Sequence, residues 1–307
     1  MGNAALELRP RPPFRLDLTV WALRRRSRNR LDRWDGTYRR ALDLGGRAVT
    51  VEVDQHGHRD QPNLSVAVLT TGNLTATERA TIERQLVRML GLDVDLSGFY
   101  QLADGAQRVG ALADRLRGVK PPRFVSLFEA LVNAIANQQL SLEVGIELMN
   151  RFAETFGEHP ADDFGLVAFP PPEAILGTSI SELRQLGFST RKAEYLMSCA
   201  YAVASGAISE PRLQSLDRAA ATDVLLGLRG IGRWSAEYVL LRGLGRIDVF
   251  PADDVGARNK LQRFFELSIA PDREQILALV DPMAPFAGML YFHLLLDGLA
   301  ERGVLDV

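Results

Sequence analysis

Leu228-Arg229-Gly230-Ile231-Gly232-Arg233-Trp234-Ser235-Ala236 is the stretch on which the reading of this chain turns. A helical pattern over 218–227 runs into two glycines one residue apart, and a second helical pattern over 233–243 begins at once. Glycines at that spacing let the backbone turn sharply, through conformations closed to other residues. They also leave the first N–H groups of the second helix uncovered. With the helix dipole behind them, those groups can bind a phosphate. A plain helix–turn–helix connection needs the same two glycines, so the pair alone does not decide.

Downstream comes Asp248-Val249-Phe250-Pro251-Ala252-Asp253-Asp254-Val255-Gly256-Ala257-Arg258, an acidic pair just before another helical pattern at 254–266. One aspartate can cap that helix. The other would then project from its first turn. A carboxylate about twenty residues beyond a phosphate-binding hairpin can also be held near the sugar of the same nucleotide.

Upstream, Lys120-Pro121-Pro122 marks a boundary. Beyond it Phe124, Leu127, Phe128, Leu131, Val132 and Ile135 recur at helical spacing, and further helical patterns follow at about 142–156, 172–177, 179–186, 190–205, 272–280 and 285–301. Before it the period is two. Phe14, Leu16, Leu18 and Val20 alternate, as do Val49, Val51 and Val53, then Leu64, Val66 and Val68, which predicts half-buried strands. Gly45-Gly46 is a turn signal, and Thr75 with Glu78 has capping-box spacing ahead of Ile82, Leu86, Met89 and Leu90, a helix ending near Gly91. The expected fold is an α+β N-terminal domain over 1–118, an antiparallel sheet plus helix, followed by an all-helical body over 119–307.

The whole chain is 307 residues with 47% apolar and 24% charged residues, which excludes disorder and fibrous classes. No apolar run approaches the length of a membrane span, and the N-terminus lacks an apolar secretory region, so a cytoplasmic protein is expected. A single cysteine, Cys199, excludes an internal disulfide, a cysteine zinc site and an iron–sulfur cluster. Net charge is −2, yet residues 1–50 carry twelve arginines against five acids. Bulk attraction to nucleic acid is therefore excluded, and a local patch is not.

The segment 228–236 followed by Asp253-Asp254 resembles the hairpin and aspartate-bearing loop of the helix-hairpin-helix (HhH-GPD) DNA glycosylases. Three other stretches agree: Phe128–Ser141, Leu186–Leu196, and Pro285–Gly288 leading into Tyr291-Phe292-His293. Within that superfamily they look like the 3-methyladenine DNA glycosylase II type, which also opens with a small α+β unit. The resemblance implies a helical core of two lobes with the active-site cleft between them.

It also implies roles. Asp254 falls on the family's essential carboxylate, with Asp253 as cap or hinge. Trp234 falls where bifunctional relatives carry a lysine nucleophile. An indole cannot form a Schiff base, so base release without strand cleavage is expected. Trp234 and Tyr238, one turn apart, would line the base pocket. Arg229, Gly230, Ile231, Gly232 and Arg233 would form the DNA-binding hairpin. Gln139, with Leu140 beside it, would fill the gap left by a flipped base. The partner would be double-stranded DNA carrying damaged bases, met by a monomer. No cofactor is required, and a monovalent cation on the hairpin backbone is compatible with the resemblance. Leu295 departs from it, standing where a second pocket tryptophan is expected.

The expected activity is N-glycosidic hydrolysis of alkylated purines in base excision repair. Two alternatives stay open: a glycosylase for oxidised or deaminated bases, and a hairpin module that binds DNA without chemistry. His56 and His58 read as a polar turn, His293 as a core histidine and Cys199 as buried and inert, leaving no metal site.

Overall fold

The computed structural model describes residues 2–305. Strands β1 (Gly2–Leu8), β2 (Arg33–Trp34), β3 (Tyr38–Asp43), β4 (Ala48–His56) and β5 (Asn63–Thr70) form one antiparallel sheet in the order β1-β5-β4-β3-β2. Val51 pairs with Val68 and Val53 with Val66, so the two alternating runs bury the same face. Helix α2 (Ala76–Leu90) covers that face with Ile82, Leu86, Met89 and Leu90. Its start is the expected capping box: Glu78 N–H donates to Thr75 Oγ1 (3.2 Å), and Thr75 N–H to Glu78 Oε2 (2.7 Å).

One expected strand is a helix. Residues Leu16–Arg24 form α1, although Phe14, Leu16, Leu18 and Val20 alternate. The physical reason is burial on two sides. Leu16, Val20 and Leu23 pack into the sheet's core at spacings of four and three, while Leu18 and Ala22 pack the other way, into the helical body. A helix sandwiched between two layers has no polar stripe, so its period is masked.

Helices α3 (Ser97–Asp104) and α4 (Gln107–Arg115) follow α2. Then come α5 (Leu127–Asn137), α6 (Leu142–Phe156), α7 (Ile180–Gln185), α8 (Thr190–Ala204), α9 (Glu210–Ser215), α10 (Arg218–Leu226), α11 (Arg233–Arg242), α12 (Val255–Phe264), α13 (Arg273–Val280) and α14 (Ala287–Ala300). The expected stretch at 172–177 is a short 3₁₀ turn, Pro172–Ile175. α3, α4 and α9, of 8, 9 and 6 residues, are too short to show a period of their own.

Two helical cores result. One gathers α5, α6, α8, α10 and most of α11. The other gathers α12, α13 and α14 with α1, α3 and α4. The second core therefore draws on both sides of residue 118, and packing does not follow the division expected there. α11 joins the two: Val239 and Leu240 belong to the first core, Leu241 to the second.

Sheet and body are bolted by a buried ion network. Arg40, 1% exposed, donates to Asp32 (2.7 Å) and to Glu129 on α5 (2.7 Å). Tyr38 donates to Asp32 as well (2.8 Å), and Glu129 accepts from Val125 N–H (3.0 Å). Full pairing is what makes two buried carboxylates and a guanidinium tolerable.

Candidate active site

Asp254 is the N-cap of α12. Its Oδ1 accepts from Ala257 N–H (2.8 Å), and its Oδ2 accepts from Trp234 Nε1 on α11 (3.1 Å). The capping role expected of Asp253 thus falls to Asp254. Asp253 is exposed and pairs with Arg273 (2.9 Å), which also binds Glu237. Asp254 was expected to project from the helix; it projects and caps with different oxygens.

Trp234 stacks on Tyr238, ring centroids 5.3 Å apart and 26° from parallel. The spacing of four residues brings the rings together, as expected. Only Trp234 reaches the cavity: Tyr238 is buried behind it, so it backs the pocket and does not line it. Its hydroxyl donates to Asn133 Oδ1 (2.9 Å), which also accepts from Asn137 Nδ2 (3.1 Å).

The cavity beside Trp234 has a volume of about 430 Å³. Asp254, Trp234, Gln139, Leu140 and Arg25 line it. Among the described residues none of its lining is a lysine. Lys260, on α12, turns its amine to the Gly256 carbonyl (3.2 Å), and burial pushes its pKa down to about 8.

Gln139 and Leu140 sit together on the rim, both exposed. Gln139 has a φ of +55°, a left-handed conformation uncommon outside glycine. Gln138 pins the loop to the hairpin, donating to the Gly230 carbonyl (2.7 Å) and Ser235 Oγ (3.0 Å). Lys192 holds the same loop through the carbonyls of Ala136 (3.0 Å) and Gln138 (2.9 Å), its pKa lowered to about 8 by burial.

The two hairpin glycines differ. Gly230 has φ +87°, and a Cβ there would lie 2.2 Å from the Tyr195 ring. Gly232 has φ −90°, open to any residue, and nothing lies within 4 Å of its Cβ position. Only Gly230 needs glycine for its backbone; Gly232 leaves the N-terminus of α11 uncovered. Ile231 faces inward, 4% exposed, as the plug that seats the hairpin. Arg229 is exposed and paired with Glu194 (2.8 Å). Arg233 is exposed, with no ion pair among the described residues.

Residues 132–285 match the model of the "HhH-GPD superfamily base excision DNA repair protein". The chain belongs to the HhH-GPD superfamily. It is 33% identical over 182 residues to DNA-3-methyladenine glycosylase 2 of Escherichia coli, covering 59% of this chain and 63% of that one. It is similar in structure to the 3-methyladenine DNA glycosylase of Archaeoglobus fulgidus, with a TM-score of 0.80 and 29% identity, over 95% of this chain and 97% of that one. It is also similar to the 3-methyladenine DNA glycosylase of Schizosaccharomyces pombe in complex with abasic DNA, with a TM-score of 0.53 and 28% identity, over 69% of this chain and 95% of that one. The α+β start, the helical body and the likeness to 3-methyladenine glycosylases agree with the sequence reading.

Leu295 is buried in the second core and does not line the cavity. Cys199 is buried, which pushes its pKa up to about 12. His293 Nδ1–H donates to the Met289 carbonyl (2.8 Å), while its buried Nε2 has no partner among the described residues; burial lowers its pKa to about 4.

Sequence assigned no site role to Arg25, Asn133 or Tyr291. Arg25 was one arginine in a basic cluster. Asn133 had a usable signal, an amide in the otherwise apolar run Leu131–Ala136. Tyr291 is buried, and burial with the nearby Asp254 charge raises its pKa.

Proposed function

We propose that this protein is a monofunctional DNA glycosylase that flips alkylated purines of the 3-methyladenine and 7-methylguanine type out of duplex DNA and hydrolyses their N-glycosidic bond. One observation carries the reading. Asp254 caps its helix with Oδ1, accepts from Trp234 Nε1 with Oδ2, and lines the cavity together with Trp234. The family membership and the 3-methyladenine glycosylase names of its relatives support the substrate class.

The chemistry follows from charge. Breaking the C1′–N bond leaves an oxocarbenium-like sugar, which a fixed carboxylate stabilises; the same carboxylate can orient the attacking water. A flipped alkylpurine would stack on Trp234, and a cationic base adds about 0.5–2 kcal/mol. With no lysine in the cavity lining among the described residues, the intermediate is taken by water, leaving an abasic site. Damage lowers the unstacking cost of a few kcal/mol.

DNA would be gripped by the uncovered N-terminus of α11 at Gly232, with Arg233 beside it. Gln139 and Leu140, at the rim, would occupy the space the base vacates. The hairpin carbonyls of Leu228 and Gly230 each accept one hydrogen bond and keep a lone pair for a monovalent cation.

The test is Asp254→Asn against methylated duplex DNA. Asn caps a helix nearly as well as Asp, so the fold should be unchanged. Release of 3-methyladenine and 7-methylguanine should fall by roughly 10²- to 10³-fold. Strand breaks should appear in the wild-type product only after alkali. Intact release by Asp254→Asn would remove Asp254 from the chemistry, and DNA binding with no release by the wild type would leave a binding module.

A further inference from the structure

Three consecutive arginines close α1, and they have three different fates. Arg24 is buried and spent on its own loop, donating to the carbonyls of Trp34 (3.0 Å) and Ser27 (3.0 Å). Arg26 reaches α6 and pairs with Glu143 (3.0 Å). Arg25, between them, lines the cavity that holds Asp254 and Trp234.

The backbone that puts it there is unusual. Arg25 has φ +62°, in the left-handed region that bulky residues rarely enter. The position is clamped on both sides: its N–H donates to the Trp21 carbonyl (3.0 Å), and its own carbonyl accepts from Arg26 Nη1 (2.9 Å). A strained position held this firmly points to a use for its side chain.

That side chain is under-employed. Its one side-chain hydrogen bond among the described residues is from Nη1 to the Tyr238 hydroxyl, at a long 3.4 Å. Nε is buried with no partner among the described residues. No carboxylate among the described residues forms an ion pair with it. Burial works to lower its pKa, but Tyr291, Tyr238 and Asp254 together raise it further, so it stays cationic. Arg25 is half-buried, and a buried guanidinium N–H without an acceptor is costly unless a ligand supplies one.

We propose that Arg25 reads and stabilises the departing base, and that it suits the pocket to neutral damaged purines in addition to cationic ones. This rests on the glycosylase reading above. When a neutral purine leaves, the C1′–N9 bond breaks and its electron pair goes to the base, which becomes anionic as the sugar becomes cationic. The cavity presents one group for each: Asp254 for the sugar, Arg25 for the base. Water then adds its oxygen to C1′, and the proton it releases ends on the base. Arg25 donates hydrogen bonds throughout and transfers no proton. An N7- or N3-alkylated purine carries its charge before cleavage and leaves neutral. It needs only Asp254, and Arg25 repels it.

The experiment compares single-turnover release of hypoxanthine, a neutral base, with 7-methylguanine, a cationic one, each placed in the same duplex. Wild type, Arg25→Asn and Arg25→Lys are measured beside Asp254→Asn. Asn tolerates the left-handed backbone, and melting curves report the fold. Arg25→Asn should lose hypoxanthine release by roughly 10- to 100-fold and keep or gain 7-methylguanine release. Arg25→Lys keeps the charge but not the planar fork, so hypoxanthine release should fall to an intermediate level. Should the Asn variant fail to fold, the Lys variant decides by the same ratio. Equal losses on both bases in folded variants, or no loss on either, would overturn the proposal. So would a wild type that releases only 7-methylguanine, while leaving the glycosylase reading intact. A wild type that releases neither base would overturn both.

Discussion

Two segments reach the cavity from opposite ends of the chain and do so by different means. The hairpin segment, 228–254, works through its backbone, with a left-handed Gly230 and an open Gly232, and through a local side-chain cap at Asp254. The arginine segment, 24–32, works through side chains held by distant partners. Arg30 N–H and the Arg28 carbonyl are both bound by the buried Asn150 of α6 (3.1 and 3.0 Å), and Asp32 is locked by Arg40 and Tyr38. A backbone device is written in adjacent residues. A side-chain device of this kind also draws on residues far away in the chain, up to 122 positions for Asn150 and 89 for Glu129, and it fails when any anchor is removed.

The largest effect should come from breaking an anchor. Arg40→Met leaves Asp32 and Glu129 buried without their cation, which costs about 3–5 kcal/mol. Urea unfolding would show it as a lower midpoint. The arginine segment should loosen with it, so amide exchange over 24–32 should rise more than over 228–236. A loss below about 1 kcal/mol, or equal exchange in both segments, would erase the contrast between them.

The next effect separates the two glycines of the hairpin. Gly230→Ala forces a left-handed alanine against the Tyr195 ring, at a cost of about 2 kcal/mol or more. Gly232→Ala meets open space at an ordinary φ, so stability should hold within about 0.5 kcal/mol. Its methyl would instead stand over the N-terminus of α11 and weaken binding to duplex DNA. Equal melting temperatures for the two variants would sink this division of labour.

The same contrast explains what could be read in advance. Gly230 and Gly232 sit within one run of sequence whose helical periods and glycine spacing are local, and the resemblance of that same run to the HhH-GPD glycosylases is what pointed to Trp234 and Asp254. The capping box at Thr75 and the Val-rich strands were legible for the same reason. α1 was not, because burial on both sides removed the polar stripe that marks a helix. The exchange of roles between Asp253 and Asp254 was also hidden: sequence offers two carboxylates, and only the position of Arg273 and Trp234 assigns them. Arg25 lies 213 residues from Tyr238, its hydrogen-bond partner, and no pattern near residue 25 reports what the far end of the chain brings. Nor could sequence foresee that Tyr238 would lie behind Trp234.

The smallest effect concerns charge at the hairpin, where a net charge of −2 leaves few cations to spare. Each phosphate contact contributes about 0.9 to the slope of log K against log salt. Arg233 is exposed and unpaired among the described residues, so Arg233→Ala should reduce that slope by nearly one contact's worth. Arg229 already shares its charge with Glu194, so Arg229→Ala should reduce it by less. The total slope should itself be shallow, because backbone N–H groups bind phosphate without releasing as many counterions as a row of lysines would. Binding to an abasic-site duplex, titrated from low to physiological salt, measures all three quantities together. If Arg229→Ala proved the more damaging, the Glu194 pair would have to open on binding. The hairpin would then depend on a side-chain rearrangement, as the arginine segment depends on its side chains.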